Sequence, residues 1–236
     1  MRFQQSAPAA SITWALFIAV LLAGCSRHAA PPPTAAAAPP PVVAMVPAPL
    51  PTGARPGMNV PARLPDGSYP TPNRALSGAG AVWHLRSALN VAALACRGAQ
   101  EATIIAQYNA MLAARKVEFA SAQATLQAEY RAGGGDWQDR FDDAMTRVYN
   151  YFAQPPVRDP FCAKALPMLT QVADMPAGGL DAFAAPGIDA LDQPFVDFYR
   201  AYDRYRAELS TWTAAQPPVL TVDPQILATS SDVTAN

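Results

Sequence analysis

Charge is scarce in this chain of 236 residues: 15% are Asp, Glu, Lys or Arg, and 17 basic residues almost balance 18 acidic ones. A near-neutral chain lacks the basic surface that neutralises phosphates, which argues against a nucleic-acid binder. Histidine occurs twice and cysteine three times. That leaves little material for a multi-ligand zinc or iron–sulfur site, so no metal and no other cofactor is expected. There are only four glutamates, Glu101, Glu118, Glu129 and Glu208. No G-x-S-x-G, H-E-x-x-H or P-loop is present to organise a hydrolase or a nucleotide site. What the chain does have is apolar residues, at 51%, and 25 prolines.

The N-terminus also lacks a long hydrophobic span. Ile12 to Gly24 is an uncharged run of thirteen residues behind Arg2. As a helix it would reach about 20 Å, short of a bilayer core of about 30 Å. A short apolar region closed by small residues is the pattern of an export signal. This one ends in Leu22-Ala23-Gly24-Cys25, which resembles the lipobox of bacterial lipoproteins in all four positions. The resemblance implies cleavage before Cys25, a diacylglyceryl group on the Cys25 sulfur, and acylation of the new amino group. Each buried methylene is worth about 0.8 kcal/mol, and several chains together hold a protein on a membrane. Ser26 in place of Asp implies an outer-membrane address, with the protein facing the periplasm. The resemblance ends with these residues, and the rest of the chain carries no family motif.

Residues 25–76 read as a lipidated cysteine followed by a disordered Pro/Ala-rich tether, with 14 prolines between Pro31 and Pro72. Proline fixes φ and lacks an N–H, so neither a helix nor a central strand propagates there. Such segments favour extended polyproline II. Residues 216–236 lack periodicity and read as a loose tail.

Between them, residues 77–215 repeat apolar positions at three- and four-residue steps, which predicts an all-α, roughly five-helix antiparallel bundle. Val82, Leu85, Leu89, Ala92 and Cys96 mark one face of a first helix. Ile105, Leu112, Phe119 and Leu126 stand seven apart, predicting one long helix from Gln100 to Ala132 that Gly133-Gly134-Gly135 stops. Asp136 caps a third helix, and Pro155-Pro156 ends it. Asp159-Pro160 opens a fourth, and Pro167 should kink or shorten it. Residues 175–192 read as a Gly/Pro-broken loop with a short helix. Asp192 and Pro194 then open the last helix, with Phe195, Tyr199, Tyr202, Leu209 and Trp212 inward.

Cys96 and Cys162 lie on predicted apolar faces, and export would bring them to an oxidising compartment, so a disulfide is expected. The alternative is two buried thiols that never meet. Among candidate functional groups, His84 reads as an ordinary helix residue and His28 lies in the tether. Glu118 reads as the solvated neighbour of Phe119. Asp136, Asp139, Asp142 and Asp143 complement a helix dipole better than they form a calcium loop. The most suggestive surface is Arg200, Arg204, Tyr205 and Arg206, although Asp203 offers these cations local compensation. No catalytic set emerges. The expectation is a lipid-anchored, non-enzymatic module that binds an envelope protein or peptidoglycan. Its competitors are a glutamate-dependent cell-wall hydrolase, and a carrier of a small apolar ligand lined by Tyr108, Phe119 or Tyr202.

Overall fold

A computed structural model describes Val46 and residues 48–216. The export signal, Cys25, His28, most of the segment up to Pro47 and the tail beyond Gln216 lie outside the described residues. Among those described, the fold is all-α: α1 (Gly78–Ala95), α2 (Glu101–Ala114), α3 (Lys116–Ala132), α4 (Trp137–Phe152), a 3₁₀ turn (Pro155–Val157), α5 (Arg158–Asp174) and α6 (Leu180–Ala215). None of these helices is long and apolar enough to cross a membrane.

α1 is the hub of the bundle, in contact with each of the other five helices. Its sequence suits that place. Eleven of its eighteen residues are buried, and Val82, Leu85, Ala88, Leu89 and Ala92 are fully so. A helix apolar on most sides belongs in the middle of a bundle. Ser77 caps it by accepting the Gly80 N–H at 3.0 Å, which satisfies one of the free donors at a helix start. Gly187 of α6 faces it closely, since a Cβ there would lie 3.5 Å from Leu85 and 3.0 Å from Phe183.

The predicted disulfide is present. Cys96, the C-cap of α1, bonds to Cys162 in the first turns of α5, with Cα atoms 5.7 Å apart across 66 residues of sequence. In the chain-entropy view a loop of that length stabilises by about 4 kcal/mol.

The expected long helix from Gln100 to Ala132 is two helices, broken at Arg115 (φ −108°, ψ 16°). The buried stripe runs on through the break: α2 buries Ile104, Tyr108 and Met111, and α3 buries Phe119, Ala122 and Leu126, while Ile105 of the expected stripe is 40% exposed. Arg115 itself is only 4% exposed. Its guanidinium donates to the carbonyls of Val172 (2.9 Å), Ala173 (3.1 Å), Met175 and Pro176 (3.2 Å) at the end of α5, and pairs with Glu118 at 3.2 Å. Helix ends leave carbonyls without partners and carry partial negative charge, and a buried cation answers both needs.

The long helix is instead α6, 36 residues that run through Pro186 and Pro194. The expected loop at 175–192 contracts to a turn before Leu180. Each proline removes one backbone bond, while Leu180, Ala184, Ile188, Leu191, Phe195, Phe198 and Tyr202 keep one continuous buried stripe. Packing of that stripe outweighs the local penalty.

The second half of the expected tether belongs to the fold. Residues 48–76 form a strap without helix or strand that lies against the bundle, with Val60 5% and Tyr69 3% exposed. Proline denies the strap its own ladder of hydrogen bonds, so side chains hold it. Tyr202 donates to the Arg55 carbonyl at 3.1 Å, and the Tyr69 ring packs 5.4 Å from that of Tyr199. At Gly53 (φ +79°) a Cβ would sit 2.9 Å from the Pro156 backbone, so only glycine allows that approach.

Candidate functional site

A cleft of about 340 Å³ opens where the end of the strap meets α1, α3 and α4. The strap supplies Arg74, the α1 cap supplies Ser77, α1 supplies His84, α3 supplies Glu129 and Tyr130, and α4 supplies Arg147. Ser77 donates to Glu129 Oε2 at 2.7 Å while accepting from Gly80, so one hydroxyl joins the start of α1 to the last turns of α3. Arg74 is engaged with Asp66 at 3.1 Å and with Ser68. Hydrogen bonds from the Ser68 side chain and backbone, and then from Arg74, hold the Asp66 carboxyl down at about 2. Among the described residues, no carboxylate forms an ion pair with Arg147.

Behind the cleft runs a chain of buried polar groups. Asp192 of α6 accepts from Asn73 Nδ2 at 2.5 Å and from Thr71 Oγ1 at 2.8 Å. With its amide group committed to Asp192, Asn73 turns its Oδ1 to His84 Nδ1, 2.8 Å away. An oxygen there accepts only, so Nδ1 carries the hydrogen and Nε2 keeps its lone pair. His84 is 4% exposed, and burial pushes its pKa down to about 4. The imidazole is therefore neutral at ordinary pH, in one tautomer, at the wall of an open cleft. Burial raises the pKa of Asp192, and the Thr71 and Asn73 donors only partly offset it. The Tyr151 hydroxyl lies beside Asp192 but makes no hydrogen bond.

No protein-family model, no curated protein and no solved structure matches this chain. Chemistry is therefore assigned from the residues themselves. The cleft brings together a neutral ring nitrogen, one carboxylate and one guanidinium without a carboxylate partner. That set can accept hydrogen bonds from a polar molecule and pair with an anion.

A second, larger concavity of about 540 Å³ is apolar, walled by Pro51, Pro156, Pro160, Pro194 and Phe198, with Asp197 and Lys164 on its margin. Here the candidate surface read from α6 divides in two. Arg200 pairs with Asp197 at 2.9 Å and so borders this groove. Arg206 pairs with Asp203 at 2.6 Å on the strap side. Tyr205 is half-buried with its ring 5.8 Å from that of Tyr202, and Arg204 is exposed. These four residues do not converge on one pocket.

Of the other candidate residues, Glu118 takes a different place from that expected and the aspartates of α4 do not. Glu118 is not a solvated neighbour: it pairs with Arg115, and Oε1 accepts the Gly178 N–H at 3.1 Å. Asp136 caps α4 by position without a side-chain bond, and Asp139, Asp142 and Asp143 are exposed. Among the described residues, no group of three or more His, Cys, Asp or Glu side chains is arranged to hold a metal ion. Tyr108, Phe119 and Tyr202 belong to the packed core rather than to either concavity.

Asn73 and Asp192 do not stand out in the sequence as site residues. Asp192 carries one usable signal, because it adjoins the stripe of Ile188, Leu191 and Phe195, where a carboxylate must find donors. Nothing local points to Asn73 as the partner.

Proposed function

We propose that the protein is a lipid-anchored lipoprotein of the bacterial envelope whose helical domain is a non-enzymatic binding module for an envelope protein or a cell-wall polymer. The observation that carries this reading is Leu22-Ala23-Gly24-Cys25 at the end of a short apolar run, followed directly by a Pro/Ala-rich segment. With the domain beginning at the strap, 22 residues of sequence, 26–47, separate it from the anchor, enough to span about 70 Å if extended at about 3.1 Å per residue. That length lets an outer-membrane anchor deliver the domain to the periplasm or the wall. The apolar groove beside Pro51 and the polar cleft around His84 supply two surfaces of different chemistry for a partner.

Labelling with a fatty-acid analogue should modify the wild-type chain and not Cys25→Ala, with the modified chain in the outer-membrane fraction. Cross-linking in intact cells should then recover a reproducible partner, or the protein should sediment with peptidoglycan. An unmodified Cys25, or the loss of both binding results, would overturn the reading.

For the hydrolase alternative the glutamate in the cleft is Glu129, whereas Glu118 is occupied in closing α5. A cleared zymogram band that disappears in Glu129→Gln would favour that alternative.

A further inference from the structure

We propose that the cleft between the strap, α1, α3 and α4 is a binding site for an amino acid or short peptide, recognised by its free carboxylate and its N–H donors. The inference rests on the binding-module reading for the source of such a ligand, and on the geometry of the cleft for its chemistry.

Three nitrogen- or carboxylate-bearing residues line the cleft with capacity to spare. His84 Nε2 is an acceptor, because the Asn73–Asp192 chain has taken the Nδ1 hydrogen. Glu129 has Oε2 occupied by Ser77 and offers Oε1. Arg147 offers its guanidinium, whereas Arg74 is held by Asp66 and Ser68. With the Tyr130 hydroxyl, which also lines the cleft and can donate or accept, the inventory is two acceptors, one cation and one hydroxyl. Its complement is a molecule with two or more N–H donors and one anionic acceptor.

That combination discriminates. A phosphate or sulfate would suit Arg147 but would face Glu129 and a neutral imidazole with no hydrogen to give. A metal cation would meet Arg147. A neutral sugar could satisfy both acceptors and would leave the guanidinium without a charge-assisted partner. An α-amino acid or peptide places a carboxylate on Arg147 while its ammonium or amide hydrogens reach Glu129 and His84. A volume near 340 Å³ lies at the small end of the range of ligand pockets and suits a molecule of dipeptide size. His84 fits the role of acceptor closely. It is buried to 4% exposure and fixed in one tautomer through Asn73 by a carboxylate on another helix, so it offers an acceptor nitrogen on a residue that lines the cleft.

The test uses the mature full chain in detergent micelles with ¹⁵N-labelled histidine. His84 and His28 are the two histidines, and His28 in the tether serves as an internal control. Alanyl-alanine should shift the His84 Nε2 resonance saturably and leave His28 in place. Alanyl-alanine amide should bind about tenfold or more weakly, the cost of one charge-assisted bond. Arg147→Gln, at an exposed position, should reproduce that loss for the free carboxylate and should hardly affect the amide. Glu129→Gln should weaken alanyl-alanine more than its N-acetyl form. The proposal is overturned if none of these peptides moves the resonance, if the amide binds as well as the acid, or if Arg147→Gln binds normally. Those failures would leave lipid labelling and cross-linking intact, so they separate the cleft assignment from the anchored-module reading.

Discussion

Asp192 and Asp203 stand eleven residues apart on α6, about three turns and so nearly on one face. Both pin the strap to the bundle, and they do so under opposite electrostatics. Asp192 is met by neutral donors, the Thr71 hydroxyl and the Asn73 amide. Asp203 is met by the Tyr69 hydroxyl at 2.6 Å, by Arg63 at 3.2 Å and by Arg206 at 2.6 Å. Burial pushes both carboxyls up. At Asp192 it prevails and the pKa stays raised. At Asp203 the bonds from Tyr69, Arg206 and Arg63 together outweigh it, and the pKa is lowered. Burial alone therefore does not set a carboxylate's character: the balance between the depth of burial and the bonds it accepts, neutral and charged together, decides the sign. The Asp203 pin is a clasp near the surface. The Asp192 pin is part of the interior, and through Asn73 its hold extends to His84.

Removing each pin separates them. Asp192→Ala strands the Asn73 amide, which is 8% exposed, and the Thr71 hydroxyl. Buried donors without acceptors cost about 1–3 kcal/mol each, so a total loss of about 2–4 kcal/mol is expected in urea unfolding. Freed of Asp192, Asn73 can rotate, and the His84 ¹⁵N spectrum should show loss of the single tautomer. Asp203→Ala releases Arg63 and Arg206, which are 46% and 49% exposed, and leaves the Tyr69 hydroxyl without its acceptor on a residue that is 3% exposed. Its cost should be about 1–2 kcal/mol, below that of Asp192→Ala, with no change at His84. Equal losses for the two variants would remove the distinction between clasp and interior.

The helical class, the hub face of α1 and the stop at Gly133-Gly134-Gly135 were legible because a helix face repeats every three to four residues. So was the Cys96–Cys162 pair, which needed only two thiols on apolar faces and the expectation of export. Features set by distant partners were not legible. Arg115 reads locally as an ordinary helix residue, yet carbonyls some sixty positions later draw it inward and break the helix. Pro186 and Pro194 signal interruption, and the buried stripe on either side overrides them. The strap reads as proline-rich filler because its partners, Asp192 and Asp203, lie more than a hundred residues away. Of the cleft, His84 and Glu129 are visible in the sequence only as polar helix residues without a motif around them. What joins them is tertiary contact: the Ser77 bridge spans 52 residues and the Asn73–Asp192 bond spans 119.

Acidity sharpens the comparison with smaller effects. A lowered folded pKa makes the Asp203 contribution present above the unfolded value, near 4, and lost as pH falls through the folded pKa. A raised folded pKa gives Asp192 the reverse sign: its contribution is fully present below about 4 and is lost as pH rises through the folded pKa. Asp203→Asn should therefore flatten the loss of stability below about pH 4. Asp192→Asn preserves an acceptor for Asn73 and should flatten the slope above about pH 4. Unfolding midpoints measured from pH 3 to 7 read both slopes, and a shared direction would contradict the assigned shifts.

The smallest effect is expected beside Asp192. The Tyr151 hydroxyl is buried without a partner, and burial together with the neighbouring carboxylate pushes its pKa far up, so it stays a neutral phenol. The ring is well placed, 4.5 Å from that of Phe195 and 5.0 Å from that of Phe152, so Tyr151→Phe keeps the packing and removes only the unmet polar atom. Deleting an unsatisfied buried hydroxyl relieves a desolvation cost rather than breaking a bond. The variant should be unchanged or more stable by up to about 1 kcal/mol, and the Asp192 slope should persist. A loss of 1 kcal/mol or more would mean that Tyr151 donates to Asp192 in solution, which would give that carboxylate a third neutral donor and bring the two pins closer in character.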